Sequence, residues 1–501
     1  MKKFVIVGSG SAGLIAAGMI KKYWEDGVNI TVIHDKSQGS IAVGESTTPY
    51  IHAFLTFCGI SEKDLIRDLD VTIKLGINFK NWIPETEYFH GFGQITGQNG
   101  WNKLRSSDPS ATYSILNDVY SGGSLYNEPM TKVPTTIFDN FSHALHIDTR
   151  QFTDYLYEKL NRDIKFVDDV VTRVRVNTEC TKIESIECKY NGIFDADYFI
   201  DASGFNTILF KHLNPKWNDM SKYLPIDRAI PQQIPYDFKD ELPSYTLAEA
   251  TDNGWIWRIP IGDRYGTGYL YSSKFTSDEE AREKYNNWLV ENFDTELTSD
   301  RIIKYRPGYY EDFWIGNCLA VGLSSGFVEP LESTGIHIII KQIQEFINYN
   351  SNLKNLEFNR KSANLINKNI YVDVVNFVAL HYNTNRTDSE FWNHVKDNKP
   401  DWVKDIDEKI REGFVDASIY RNNPLSSLWT LDSYVQVTNG LKMISKESIQ
   451  NHLNSKPEGN GVFASGKQIL EVCKNMHDCE VSEKNNQIFV SHKGIIDSIH
   501  K

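Results

Sequence analysis

Three short stretches carry residues whose types and spacing could do chemistry. In VTIKLGINFKNW, residues 71–82, Val71, Ile73, Leu75, Ile77 and Phe79 alternate with Thr72, Lys74, Gly76, Asn78 and Lys80. Period-two alternation predicts a half-buried strand with one polar face. If that face meets water, Lys74 and Lys80 are ordinary solvated lysines. If it lines an enclosed cavity, one of them is a reactive amine, because burial lowers a lysine pKa. The pattern alone leaves the two equivalent. In PLESTGI, residues 330–336, Ser333, Thr334 and Gly335 lead into an apolar helical pattern. Their free N–H groups make an anion site, with Ser333 as the expected cap and Glu332 as a carboxylate favouring the helix dipole. In GWIWRIP, residues 254–260, Trp255 and Trp257 lie two apart and share one strand face, as a packed aromatic pair would.

A fourth stretch reads as a nucleotide cradle. Residues 2–35 run strand, glycine turn, helix, strand, with Gly8, Gly10 and Gly13 supplying GxGxxG. The first glycine makes the turn, the second lets backbone approach a pyrophosphate, and the third lets helix pack on strand. The helix N-terminus then holds phosphates through its N–H groups and dipole. An acidic residue usually ends the second strand to bind a ribose hydroxyl; here His34 stands in that place, with Asp35 next.

These pieces need a large scaffold, and 501 residues supply one. Hydrophobic residues make up 40% and charged residues 24%, the balance of a globular protein. A net charge of −13 argues against nucleic acid or an anionic membrane surface as the main partner. No apolar run reaches the roughly 20 residues that span a bilayer. The run after the N-terminal lysines is four residues long and enters a glycine turn, so it reads as a first strand and not a secretory signal. Six cysteines without a CxxC pair indicate neither a zinc site nor a disulfide framework; the expectation is no metal and a reducing, cytoplasmic location.

Further strands are expected at 165–175, 194–204, across 225–275 and in CLAVGL, with a long helix after PLESTG. Helical pattern then runs to about 420, and the tail from about 455 is polar. The expected fold is α/β: a doubly wound, three-layer ββα nucleotide-binding domain over residues 1–350, assembled from discontinuous segments. Strand-rich insertions fall at about 70–145 and 215–310. Residues 351–501 form a mainly helical C-terminal region on the substrate side.

Taken in order, GSGSAG, VGEST, IKLGINFKNW, IDASGF, GWIWRIP and GFVEPLESTGI resemble the flavin-dependent halogenases of the tryptophan-halogenase type. The likeness runs from residue 4 to about 392 and ends in HYNTNRTDSEFW. GWIWRIP and PLESTG are its most specific motifs. The resemblance implies that reduced FAD and O2 form a flavin C4a-hydroperoxide, that halide attack gives hypohalous acid, and that this travels to Lys74. Either a hydrogen bond to the amine or a haloamine would then place the halogen on an aromatic ring. A haloamine needs the neutral amine. Glu332 matches the second catalytic residue, polarising the oxidant or taking the ring proton. The halide would lie against Thr334 and Gly335, and Trp255 and Trp257 would shield the flavin. FAD contacts fall on Ser9, Gly10, Ser11, Ala12, Gly13, Val43, Glu45, Ser46, Leu323 and Ile336, with Val170 also implied.

FHGFG, residues 89–93, resembles the piece that supplies His90 and Phe92 to an aromatic substrate sandwich. The lid that grips free tryptophan is not recognisable in residues 426–447, which keep Trp429 and Tyr434. An indole- or phenol-like substrate is therefore expected. No second GxGxxG offers a nicotinamide site, so a separate flavin reductase should deliver FADH2. A homodimer is left open. An FAD-dependent aromatic monooxygenase is the competing reading, disfavoured by GWIWRIP with PLESTG. A non-catalytic flavin-binding protein is a third, disfavoured by the intact Lys74 and Glu332.

Overall fold

Phe4, Val5, Ile6 and Val7 close the first strand, Lys2–Val7, and all four are buried. Such an unbroken apolar run marks a parallel strand covered on both faces. In the computed structural model this strand lies inside a six-stranded sheet. The order is Trp314–Ile315, Cys318–Ala320, Tyr198–Asp201, Lys2–Val7, Val28–His34, Lys165–Asp168, parallel except for the first pairing. Alternate side chains serve alternate layers. Phe4 and Ile6 join Leu14, Ile15, Ile336, Ile339 and Ile343 beneath the helices Ser11–Trp24 and Gly335–Asn350. Val5 and Val7 join Ile183 and Ile186 of a three-stranded antiparallel sheet on the other side. This is the expected three-layer ββα arrangement, built from segments near 1, 200 and 320. The structure describes residues 1–37, 44–92, 131–135, 137–138, 142–239, 241–412, 428–429, 431–443 and 489–500.

The expected strand at 165–175 is two strands. Lys165–Asp168 belongs to the main sheet and Val171–Val176 to the antiparallel one. Asp169 makes the break: its carboxylate accepts from the N–H groups of Val170, Tyr190 and Asn191 and ties the corner to the next turn.

The alternating stretch 71–82 also divides, and the division matters more. Thr72–Lys74 pairs with Ala144–Ile147, which in turn pairs with Glu45–Ser46. After Leu75, Gly76–Lys80 enters a seven-stranded sheet between Tyr245–Ala250 and Glu87–Gly91. Residues 71–79 are buried on both faces, so the half-buried reading is wrong. The polar side faces other polar side chains inside the protein. Gly76 stands at the changeover because a Cβ there would come within 2.3 Å of the His90 carbonyl oxygen and 2.5 Å of the Phe89 ring.

GWIWRIP sits within Gly254–Ile261, in the interior of the seven-stranded sheet and paired to Arg264–Tyr271. Beyond the helix Gly335–Asn350 come the helices Glu357–His381, Glu390–Asp397 and Asp401–Arg411. The C-terminus is more than a polar tail. Phe489–Ser491 pairs with Lys132–Pro134, and the helix His492–His500 brings His492 against the Lys74 strand.

Candidate active site

The glycine turn fits a dinucleotide. Gly8 has φ +111, and a Cβ there would meet the Ala202 carbonyl at 2.3 Å. A Cβ on Gly13 would meet the Gly8 carbonyl at 2.0 Å, so this glycine serves helix–turn packing. Gly10 differs: nothing among the described residues lies within 4 Å of its added Cβ, which leaves open space beside a helix start with no side-chain cap. Ser9 Oγ lies 2.9 Å from His34 Nδ1. Ser11 Oγ and His34 Nε2 are buried with no partner among the described residues. Ala12 follows in the first helical turn, and Gly322, which precedes Leu323, packs on it with φ +62. An uncapped helix start, an open approach and two orphaned polar atoms are what an FAD pyrophosphate and ribose would use. Asp201 of IDASGF braces this end of the sheet, accepting from Ser203, Leu209 and Phe210 N–H groups and from Ser324. Ile336 is buried in the helix that covers it. Val170 lies beyond the strand neighbouring His34 and is half-exposed. Val43 is outside the described residues.

Lys74 is fully buried. Its Nζ donates to the Thr47 carbonyl at 3.0 Å and to Ser333 Oγ at 2.9 Å, and lies 5.0 Å from the centre of the Phe92 ring. Burial pulls its ammonium down to about 7, although the charge of Glu332 favours protonation. Lys80, its equivalent by pattern, pairs with Glu249 at 2.9 Å and keeps about a third of its side chain in solvent. Tertiary structure separates the two lysines that the alternation leaves equivalent.

Glu332 is buried between two histidines. His90 Nδ1 lies 2.9 Å and 3.0 Å from its oxygens, and His381 Nε2 lies 2.8 Å from Oε1. Desolvation would raise this carboxyl, but the histidines outweigh it and hold the group below the usual glutamate range. His381 spends its Nδ1–H on the Phe377 carbonyl at 2.8 Å. His381 opens the HYNTNR motif, so the signal was in the sequence without an assigned role.

The PLESTG turn differs from expectation. Ser333 does not cap the helix; it adopts φ +60 and turns its hydroxyl to Lys74 and to Ser46 Oγ, 3.0 Å away. The helix starts at Gly335, with Thr334 preceding it and no side-chain cap. The first-turn N–H groups thus have no side-chain cap and could hold an anion. Glu45 stands beside this start, its Oε1 3.3 Å from where a Gly335 Cβ would lie. Burial lifts the Glu45 carboxyl to about 7, which lessens its competition with an anion there.

Trp255 and Trp257 are buried on one strand face. Trp255 donates its indole N–H to Glu329 at 2.9 Å, as does the Tyr382 hydroxyl at 2.7 Å. Trp257 packs over Gly268, where a Cβ would overlap its ring. Around Glu332 the aromatic neighbours are Phe377, stacked on Trp429 at 4.1 Å, with His90 5.7 Å from Phe377 and 6.2 Å from Trp429. Two His–Glu groups bring possible ligand atoms within 4.8 Å of one another, His90–Glu332–His381 and His52–Glu62–His143. Both contain imidazole–carboxylate contacts, and in the first His90 Nε2 stays buried without a hydrogen-bond partner among the described residues.

A family model described as tryptophan halogenase matches residues 3–456. The chain belongs to the tryptophan halogenase family. Tryptophan 7-halogenase RebH of Lentzea aerocolonigenes is 30% identical, over 88% of this chain and 90% of that protein. The crystal structure of tryptophan 6-halogenase SttH from Streptomyces toxytricini superposes with a TM-score of 0.81 at 26% identity, covering all of both chains. A tryptophan halogenase from Shewanella frigidimarina NCIMB 400 shares the fold, with a TM-score of 0.85 at 24% identity over 100% of this chain and 98% of that one. This member of the family is accordingly a flavin-dependent halogenase of aromatic rings, using reduced FAD, O2 and halide, with reduced flavin from a separate reductase. No helix among the described residues is long and apolar enough to cross a membrane.

Proposed function

We propose that Lys74 accepts the halogen as a haloamine and delivers it to an indole- or phenol-class substrate, with Glu332 taking the ring proton. The observation that carries this is the buried Lys74 amine, pulled to about 7 and held by two neutral acceptors in place of a carboxylate. A lysine so placed is neutral in a large fraction of molecules near neutral pH, as a nucleophile must be.

Bound reduced FAD, with O2 and halide, supplies hypohalous acid. Ser9 to Gly13, with Glu45, Ser46, Leu323 and Ile336, would hold the flavin; Val43 and Val170 belong to the same proposed set. Thr334 and Gly335 would hold the halide, and Trp255 and Trp257 would keep the aromatic substrate from the flavin. At Lys74 the amine lone pair forms an N–X bond as the X–O bond breaks. The departing hydroxide takes one N–H proton and leaves as water. In the second step the ring π-electrons form C–X as N–X breaks, and the nitrogen regains its proton by way of Glu332, which passes on the one that the ring loses. Glu332, kept ionised by His90 and His381, accepts the proton that the ring loses. His90, Phe92, Phe377 and Trp429 would orient the ring. The relatives' names make tryptophan the first substrate to test. We place the enzyme in the cytoplasm.

The test supplies purified protein with FAD, a flavin reductase, NADH and chloride, bromide or iodide, and scans tryptophan, indoles and phenols by mass spectrometry. Halogen mass shifts that vanish in Lys74→Ala are expected. Hydroxylated product, or halogenation that survives in Lys74→Ala, would overturn the reading.

A further inference from the structure

A buried hydrogen-bond chain begins at Lys74 and ends 186 residues later in sequence, at a backbone carbonyl. Its members are Ser333, Ser46, Thr246, His146 and Thr72, all buried, and its last acceptor is Pro260. A carbonyl only accepts, so every proton in the chain can be placed by working back from it. Thr72 spends its single hydroxyl proton on the Pro260 carbonyl at 2.7 Å. The 3.1 Å contact between Thr72 and His146 Nδ1 must then be donated by the ring. In a neutral imidazole this leaves Nε2 as an acceptor, so Thr246 donates to it at 3.0 Å. Ser46 must donate to Thr246 at 2.8 Å, and Ser333 to Ser46 at 3.0 Å. Ser333 therefore has no proton left for Lys74 and can only accept from it, at 2.9 Å.

We propose that His146 and Thr246 are positioning residues for Lys74: their one-way chain keeps the lone pair of the neutral amine open to the incoming halogen. This rests on the reading of Lys74 as the halogen carrier. With Ser333 and the Thr47 carbonyl both acceptors, two N–H bonds of the neutral amine are engaged. The lone pair takes the one tetrahedral direction that remains. Had Ser333 a free proton, it would donate into that lone pair and block attack on the halogen.

The polarity depends on His146 staying neutral. With protons on both ring nitrogens, Nε2 would donate to Thr246, and each hydroxyl would turn in sequence until Ser333 pointed at Lys74. The titratable groups that face His146 are Lys74 and His492. Burial and both of these neighbours disfavour a second proton on the ring, so the working polarity is the stable one. His146 is too weak a base here to serve as a proton sink, which leaves orientation as its role.

The experiment needs no aromatic substrate. Protein is reacted with reduced FAD, oxygen and bromide, then desalted, and the oxidising equivalents retained per chain are titrated with a thiol. Wild type should retain close to one equivalent and Lys74→Ala almost none. Thr246→Val and His146→Leu should retain at least tenfold less than wild type, with FAD affinity and melting temperature little changed and free oxidant appearing in solution instead. Thr246→Ser keeps the hydroxyl, and His146→Gln can accept and donate as the ring does; both should stay within threefold of wild type. If wild type retains nothing, the carrier reading fails and the chain proposal falls with it. If wild type and Thr246→Val retain equally, only the chain proposal falls. If Thr246→Ser and His146→Gln lose as much as the disruptive variants, the residues are merely structural and the proposal is again overturned.

Discussion

Lys74 brings an amine into a place where both faces of the strand are buried, and the fold bears the cost. Its pKa is lower in the folded chain, about 7, than the ordinary lysine value of 10.5. Between those values the unfolded chain binds the extra proton, so stability rises with pH across that window; at pH 7 and below, Lys74 destabilises the fold. Lys74→Met should raise unfolding free energy at pH 7 by about 1–3 kcal/mol while abolishing halogenation. Urea unfolding at pH 7 and pH 10 checks this, the gain shrinking at the higher pH. A variant less stable than wild type at pH 7 would show that the ammonium is not strained there. The same shift has a kinetic consequence. If the neutral amine is the working form, kcat for halogenation rises with pH through about 7 and levels above it, as pH–rate profiles in bromide would record. Lys80, with Glu249 beside it and solvent over a third of its side chain, should show neither effect.

Among the elements, the glycine turn separates structural from binding roles. Gly8 and Gly13 are crowded by backbone at 2.3 Å and 2.0 Å, so any side chain there disturbs the fold. Gly10 has open space among the described residues, room that a ligand could use. Gly10→Ala should leave the melting temperature within about 2 °C and weaken FAD binding at least tenfold, since a methyl there keeps the pyrophosphate from the helix start. Equal FAD affinity in a fluorescence titration would remove the phosphates from this turn. The turn, the three glycines and the following helix were legible because GxGxxG is local. The start of Gly335–Asn350 was legible only to within two residues. Ser333 has the composition of a cap, but its left-handed backbone and the pull of Lys74 and Ser46 turn its hydroxyl away from the helix. Alternation likewise identified extended chain at 71–80 without showing that it changes sheets at Leu75, because strand period reports conformation and not pairing partner.

At the scale of the whole molecule, the amine site is closed by a segment from the far end of the chain. His492 Nε2 accepts the Ile73 N–H at 2.9 Å, and its Nδ1 donates to the Leu242 carbonyl at 3.3 Å. His492→Ala would leave the buried Ile73 N–H without an acceptor, at a cost of about 1–3 kcal/mol. Chemical denaturation should show that loss. Halogenation should fall with it, because Ile73 adjoins Lys74 in a strand of only three residues. An unchanged midpoint would mean that the C-terminal segment merely rests on this sheet.

By itself, the sequence determined the classes of element, the flavin-type turn and, through its motifs, the family, and it singled out Lys74 and Glu332 as the candidates for chemistry. Those follow from periodicity and from motifs whose parts lie within a few residues of one another. Only the tertiary structure decided which lysine is enclosed, that Glu332 is held by His90 and His381, and that Ser333 faces Lys74 instead of the helix. It also decided which polar groups share the buried face of the alternating strand: Ser46, Thr246, His146 and Ser333, drawn from four separate segments. The physical reason is burial. Desolvation and proton direction depend on everything packed around a group, and no spacing along the chain records that.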